Sequence, residues 1–451
     1  MEFLQTITPI IPMILLIVLI VWTKRIMESS IVTLILAYLL VSPKDILTNL
    51  PNGLLTTLVS DTYSFVLAAA SIMGIFVRLM IESGGTIGFG KLLGRFANNR
   101  KKSLVATFIL GLIVFIDEYL NALVVTSSMR NLTDKYKAPR LMLACTVNSA
   151  GVPACIFAPI SIWAIYYIGL ISDSGLLEGT ELTGLQMYVR VIPYMVYPAI
   201  FMVIILLLAL DIFPKYGPMK KAYQRAEETG DVFPESGCVG VMDDDIKEGN
   251  VAFFLIPMIT IILIAYFTGD IFVAVLIGVA VISAMLILSK KMTVSQVGDA
   301  ITEGVKDMVF ILVLLLILFT FTEICSDIGF AELVVNAVSS VLSGWMVPPV
   351  MFIIISLLSW IMGSYWATSA LCMPIMIQLA EQMDLSMPLM LGILISGAVC
   401  PATCSFTSEA LVMSSQSAQV QPAEMGLANL PYAFTALGIS TVIFGVLGVV
   451  L

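Results

Sequence analysis

The chain has 451 residues, 59% of them hydrophobic and only 12% charged, and its mean hydropathy is +1.03. Soluble domains carry about a quarter charged residues, so these figures exclude a soluble protein and indicate an all-α, polytopic membrane protein embedded in a lipid bilayer. The complete absence of histidine excludes the H-E-x-x-H metalloprotease, the Ser-His intramembrane protease and His-ligated zinc or haem.

The net charge of −9 is gathered in a few loops such as "MDDDIKE" at Met242–Glu248, and no basic patch points to nucleic acid. Seven cysteines with no C-x-x-C read as helix-packing residues, not as a disulfide framework. No cofactor is implied. The opening "TPIIPMILLIVLIVW" has no basic segment before it, so the first span is expected to serve as its own insertion signal.

In chain order, apolar segments run over roughly 8–23, 28–43, 61–82, 103–130, 141–171 and 189–213. A polar linker follows, and then segments at roughly 251–268, 271–289, 305–325, 346–377, 388–418 and 430–451. The two sets resemble each other. Pro12–Met13 match Pro257–Met258, and "ESGGTIGFGKLL" from Glu82 matches "EICSDIGFAELV" from Glu323. "SAGVPACIFAPIS" from Ser149 matches "SGAVCPATCSFTS" from Ser396, and "VIPYM" around Pro193 matches "NLPYA" around Pro431. All four pairs occur in order at offsets of about 240 residues. The expected organisation is a first repeat at 1–213, a linker at 214–250 and a second repeat at 251–451. The linker stretch "KKAYQRAEE" is expected to be helical and solvated.

Charge sets the expected topology. Basic loops flank the fourth segment on both sides, with Lys91, Arg95, Arg100, Lys101 and Lys102 before it and Arg130, Lys135, Lys137 and Arg140 after it. The positive-inside rule puts both in the cytoplasm, so this segment enters the membrane and returns. The matching loops of the second half, around Asp327–Trp345 and Gln378–Met387, carry no Lys or Arg and are expected outside. Each repeat then has about five transmembrane helices, one re-entrant hairpin and a broken helix, and the second repeat is inverted relative to the first. About 18 of the 22 basic residues fall in cytoplasmic loops, and both termini lie outside the cytoplasmic membrane. Segment 44–60 reads as an outside loop.

The candidate chemistry follows from this topology. "VFIDEYLNALV" puts Asp117 and Glu118 near the tip of the first hairpin. A carboxylate inside a membrane is costly unless it holds a proton or a cation, and two neighbours disfavour joint ionisation. Asn121 adds an amide oxygen one turn on. In "NSAGVPACIFAPISIW", Pro153 and Pro159 are expected to break the helix and free carbonyls for a cation, with Ser149 and Ser161 supplying hydroxyls. The second half offers Gly363, Ser364, Tyr365 and Thr368 at its hairpin tip. At its broken helix it offers Thr403, Ser405, Thr407, Ser408 and Glu409. Asp117, Glu118, Asn121 and Ser149 are the expected Na+/H+ site, and the others line the substrate pathway. Inverted repeats with broken elements at mid-membrane suit a secondary transporter better than a channel. An aspartyl intramembrane protease needs two facing Asp residues and finds only Asp117, so no enzyme is expected.

The stretch "FIDEYLNALVVTSSMRNLTDKYKAPRLMLACTVNSAGVPACIFAPISIW", Phe115–Trp163, closely resembles the NhaC-type sodium/proton antiporter family. That family has F-x-D-D-Y-x-N-x-L leading to S-x-M-R-P-L-T-D-K. "GSYWATSALCMPI" at Gly363–Ile375 is similar to the family's G-T-S-W-G-T pattern. "SGAVCPATCSFTSEALVMSS" at Ser396–Ser415, followed by "LPYA", is similar to its G-D-H-C-S-P-I-S-D-T region. The paired Asp of the first motif is Asp117–Glu118 here. The Asp and His of the third are Ala402 and Thr403, and its last Asp is Glu409, so the chain reads as a divergent member. The resemblance implies an antiporter exchanging Na+ or Li+ for H+, and a homodimer. It implies equally, as the alternative, a Na+- or H+-coupled exchanger of a small organic solute, a carboxylate or amino acid, on the same scaffold.

Overall fold

The computed structural model describes residues 11–450 apart from 24–25, 86, 89–91, 93–96, 178–181, 235–248, 269, 330–332, 334–335, 337–339, 341, 363–364 and 406–407. Among the described residues the structure is all helix, without strands. The first part of the chain forms α1 (Ile11–Thr23), α2 (Ile26–Val41), α3 (Ile46–Val59), α4 (Asp61–Ser83), α5 (Arg100–Ile113), α6 (Glu118–Lys135), α7 (Arg140–Phe157), α8 (Ile162–Asp173), α9 (Gly184–Val191), α10 (Val196–Ala209) and α11 (Gly217–Glu228). The second forms α12 (Ala252–Thr268), α13 (Ile271–Leu288), α14 (Val294–Asp327), α15 (Val347–Met362), α16 (Tyr365–Gln382), α17 (Met387–Cys404), α18 (Glu409–Ser417) and α19 (Pro422–Val450). By length and composition, α7, α14, α17 and α19 can each cross a membrane, as can the pair Gly184–Tyr194 and Val196–Ala209, bent by 51°.

The segment α5–α6 turns back on itself, and the proof lies at its two ends. At the start of α5, Arg100 Nη1 lies 2.9 Å from Glu227 Oε1. Just past the end of α6, the Arg140 amide donates to the Val232 carbonyl at 2.9 Å. Five residues of chain reach at most about 18 Å, short of the ~30 Å of a bilayer core. Both ends therefore lie on one face, and α5–α6 is a hairpin. A second hairpin is α15–α16. Its base is closed where Gly344 faces the Leu385 side chain, which lies 3.8 Å from the position of a β-carbon.

The long helices α4 and α14 pack antiparallel. Thr57 meets Glu323 at 3.4 Å, Tyr63 Oη donates to Leu312 O at 2.9 Å, and Lys291 Nζ donates to Ser83 O at 3.0 Å. Between these points the backbones touch at Gly74 and Gly304. A β-carbon on Gly304 would stand 2.6 Å from Ile75 Cα, so only glycine permits this approach.

Three expectations need correction. Segment 44–60 is not a loop, because Ile46–Val59 forms α3 despite Pro51. The helix α7 does not break at Pro153 but runs through it to Phe157. Pro lacks one hydrogen bond, yet close packing on every side holds the helix, and the break follows at Ala158–Ser161 around Pro159. The linker helix α11 is not solvated all round. Met219, Ala222, Tyr223 and Ala226 are buried, which is the i, i+3, i+4, i+7 stripe of an amphipathic helix. The basic residues at 24–25, Lys91, Arg95, Cys238 and the acidic run 242–248 lie outside the described residues.

The linker acts as a strap across the base of the first hairpin. Asp211 collects Lys215 at 2.5 Å, Arg100 at 3.3 Å and Lys101 at 3.5 Å. Burial works against its ionisation, but Lys215 and Arg100 outweigh it and hold the carboxyl below the usual aspartate range. A carboxyl depressed in the folded state stabilises above its unfolded pKa and loses that contribution as pH falls through the folded value. Asp211→Asn is therefore expected to lower the melting temperature in detergent at pH 7, where Lys215, Arg100 and Lys101 lose the carboxylate they share. The gap to the parent protein should close as pH is taken below about 4, and thermal melts at the two pH values check it.

Candidate functional site

The site forms where interrupted elements meet. The first hairpin turns at Val114–Asp117, so Asp117 ends the turn and Glu118 opens α6. Both side chains are buried, each 4% exposed. Glu118 takes a hydrogen bond from each of two aromatic side chains. Trp163 Nε1, from the second residue of α8, donates to Oε2 at 2.7 Å. Tyr365 Oη, from the first residue of α16, donates to Oε1 at 2.8 Å. Both donors are neutral. One carboxylate thus joins the tip of the first hairpin, the restart of the broken helix α7–α8, and the tip of the second hairpin. The backbone reinforces the junction, with Ile162 N donating to Ile116 O at 3.1 Å.

Aromatic rings wall this carboxylate. Trp163 stacks on Tyr365 at 4.3 Å between centroids and lies 4.9 Å from Trp366. Tyr166 meets Trp366 edge-on at 4.7 Å, and its hydroxyl donates to the Trp366 carbonyl at 2.5 Å. Tyr167 bonds Ser369 at 2.8 Å. All five rings are buried. Tyr365 was legible as part of a tip motif, but Trp163 was not singled out as a partner of Glu118. Its only signal was position: an aromatic two residues after Ser161, where the helix restarts and side chains turn inward.

Among the described residues, side chains take up several of the carbonyls released at the breaks. Ser161 Oγ donates to Cys155 O at 2.5 Å while accepting the Ala164 amide as N-cap of α8. Tyr188 Oη donates to Ile156 O at 2.5 Å. Asn121 Nδ2 donates to Gly111 O at 2.6 Å and to Val114 O at 2.7 Å. In the other broken helix, α17–α18, Asn148 Nδ2 serves Ala402 O at 2.9 Å and Asn429 Nδ2 serves Thr403 O at 2.7 Å. These are last-turn carbonyls that a continuous helix would have satisfied itself.

The remaining predicted residues divide. Ser149 Oγ donates to Thr146 O within its own helix. Thr403 Oγ1 is engaged by Tyr197 at 2.6 Å and by Cys400 O. Thr368 Oγ1 contacts Met362 Sδ at 3.6 Å. Pro153 lies inside α7 and Ser405 in the break after α17, both buried. Ser408 Oγ and Asn121 Oδ1 are buried oxygens without a hydrogen-bond partner among the described residues. Gly363, Ser364 and Thr407 lie outside the described residues, as does the side chain of Glu409, whose backbone begins α18. Ser414 Oγ, in the same helix, reaches Asn148 Oδ1 at 3.4 Å. Among the described residues no group of three His, Cys, Asp or Glu side chains forms a metal cluster.

Away from the strap, a cleft of about 580 Å³ opens where Thr57 and Glu323 meet. Asp173, Glu323, Asp327 and Glu381 line it, and its walls include Leu170 and Phe319. It reaches Ala370 of α16, the residue after Ser369.

Residues 154–449 match the family described as the Na+/H+ antiporter family. The chain is 23% identical to an uncharacterised protein of Haemophilus influenzae, over 99% of this chain and 92% of that protein. Its fold is similar to the crystal structure of the YdaH transporter of Alcanivorax borkumensis, described as having an unusual topology. The TM-score is 0.60 at 13% identity, covering 89% of each chain.

One glycine fits the tip together. A β-carbon on Gly151 of α7 would stand 2.6 Å from Asn121 Oδ1 and Cγ. Gly151→Ala is expected to push Asn121 off the Gly111 and Val114 carbonyls, at a cost of about 1–3 kcal/mol. Thermal melts in detergent read the loss, and an unchanged melting temperature would contradict the packing described.

Proposed function

This chain belongs to the Na+/H+ antiporter family, and from that premise we propose that it exchanges Na+, or Li+, for H+ across the cytoplasmic membrane, with Glu118 as the exchange group and Asp117 as its partner. The observation that carries this reading is the Glu118 carboxylate itself: buried, bridged by two neutral donors, and next to a second buried acid. Such a group favours one positive charge, and a proton or a small cation supplies it. Occupancy by one excludes the other, which is the basis of exchange. The orphaned oxygens of Asn121 and Ser408 are hard ligands of the kind Na+ takes. The acidic cleft enriches cations and repels carboxylates by its field.

The organisation in two inverted repeats, 1–213 and 251–451 about the linker 214–250, is part of the same proposal. Its support is that α4 and α14, the matching third spans, run antiparallel, and that each half contains one hairpin and one broken helix. The strap face carries Arg100, Lys101, Arg140, Lys215 and Lys291, and the opposite cleft carries four acids. The positive-inside rule then orients the strap to the cytoplasm and both termini to the outside. Ion-coupled exchange of a small organic solute is the second reading. One feature favours it: Trp366 Nε1, buried beside Glu118's aromatic wall, has no acceptor among the described residues, and a solute carbonyl would provide one.

In inside-out vesicles, Na+ or Li+ is expected to dissipate a preformed pH gradient with saturation. Glu118→Gln and Asp117→Asn should each reduce that response by about a hundredfold or more while eluting as folded protein. Full activity in both variants would remove the two acids from the mechanism. A parent protein silent to every cation but active in counterflow of a carboxylate or amino acid would favour the second reading.

A further inference from the structure

An antiporter needs more than a site that two ions share: the empty carrier must stay still. If it crosses unloaded, each ion runs down its own gradient. Among the described residues, the contacts at Glu118 show how the empty form is held.

Ionised, a carboxylate only accepts hydrogen bonds, and here each of its oxygens accepts one. The Oε1 bond comes from Tyr365, the first residue of the second hairpin's returning helix. The Oε2 bond comes from Trp163, in a different element. The two hairpin tips are thus tied together through one side chain, and the tie is strongest while the carboxylate carries its charge. A cation on the carboxylate draws on that same charge. A proton turns one oxygen into a donor, and it then faces a phenol O–H that must rotate away or give up its role as donor. Trp163 can only donate, so it stays with whichever oxygen remains an acceptor. Tyr365 can both donate and accept, so it is the partner whose charge-assisted bond is given up, for a weaker neutral one or for none, when the site is filled.

Resting on the cation/proton reading above, we propose that Tyr365 is a positioning residue that locks the unloaded site: its hydrogen bond to ionised Glu118 pins the second hairpin to the first, and cation or proton binding releases it. The lock is a difference in free energy between loaded and empty states, so it shifts the population that can reorient. A hydrogen bond to a charged, buried acceptor is strong enough to hold that population down by tenfold or more. The ring stack of Trp163 on Tyr365 at 4.3 Å keeps the phenol aimed at Oε1, so replacing the ring would disturb more than the lock. Phenylalanine removes the hydroxyl alone.

The experiment compares two fluxes in proteoliposomes loaded with radioactive Na+ at alkaline pH, where few protons are present to return the carrier. Efflux into Na+ medium measures exchange, and efflux into Na+-free medium measures return of the empty carrier. The parent protein should show fast exchange and slow net efflux. Tyr365→Phe should raise the ratio of net efflux to exchange by about tenfold, a change that a merely structural role would not produce. Trp163→Phe, which removes the other donor and keeps a ring, should raise the ratio less. It also serves if Tyr365→Phe fails to fold, because a ratio unchanged in Trp163→Phe then counts against the lock. Exchange retained with an unchanged ratio in Tyr365→Phe overturns the proposal and leaves the cation reading intact. Exchange lost in folded Tyr365→Phe overturns it too, since the hydroxyl would then belong to the site and not to the lock. No Na+ exchange in the parent protein overturns the cation reading, and the lock with it.

Discussion

Two adjacent carboxylates kept below the surface of a membrane protein set the conditions for everything around them. Lipid cannot solvate an acid, and it cannot solvate the broken backbone on which these acids sit. Asp117 and Glu118 sit at a turn between helices, so both costs fall at one place. The answer to the first is a pair of aromatic donors, Trp163 and Tyr365. The answer to the second is a set of side chains, chiefly Asn121, Asn148 and Asn429, whose amides replace the lost backbone donors. An asparagine amide has the geometry of a peptide N–H, which suits it to completing a last helical turn. On the proposed reading, these acids are the groups that a proton or a cation neutralises.

The two ends of the molecule divide the remaining work. On one face the strap binds the base of the first hairpin through Asp211, Glu227 and the Val232 carbonyl. Arg140 draws α6 and the turn after α18 into the same junction by pairing with Asp134 at 3.0 Å and bonding Gln419, while its guanidinium lies 4.3 Å over the Phe233 ring. On the other face the antiparallel pair α4–α14 ends beside an acidic cleft. Thus a charged, tightly pinned face and an open, acidic face lie on either side of the buried pair Asp117 and Glu118. Alternating access needs that kind of asymmetry, because a path open at both ends would conduct rather than exchange.

Much of this was legible in the chain, for definite reasons. The hairpin was readable because Arg100 and Arg140 mark both ends of one apolar segment with the same charge, and a charge pattern survives without coordinates. Asp117 and Glu118 were readable because acids are rare in such a segment. The Glu118–Tyr365 bond was not, since it joins positions 247 apart and nothing local in either stretch refers to the other. Pro153 misled because proline weakens a helix only locally, and the buried surroundings of α7 outweigh one missing bond. α3 was missed because Pro51, Asn52 and Gly53 resemble a turn, while the helix around them is held by packing. The carbonyl caps could not be read at all: which asparagine reaches which carbonyl depends on how helices cross in space, and for Asn148 and Ala402 they come from opposite halves of the chain.

The central claim is that a proton and a cation compete for Glu118. The measurement that tests it most directly is calorimetric titration of Na+ into the purified protein in two buffers of different ionisation enthalpy, which counts protons released per ion bound. The account predicts Na+ binding with proton release, and loss of that release in Glu118→Gln. Binding with no proton released, or the same release in the variant, would contradict it.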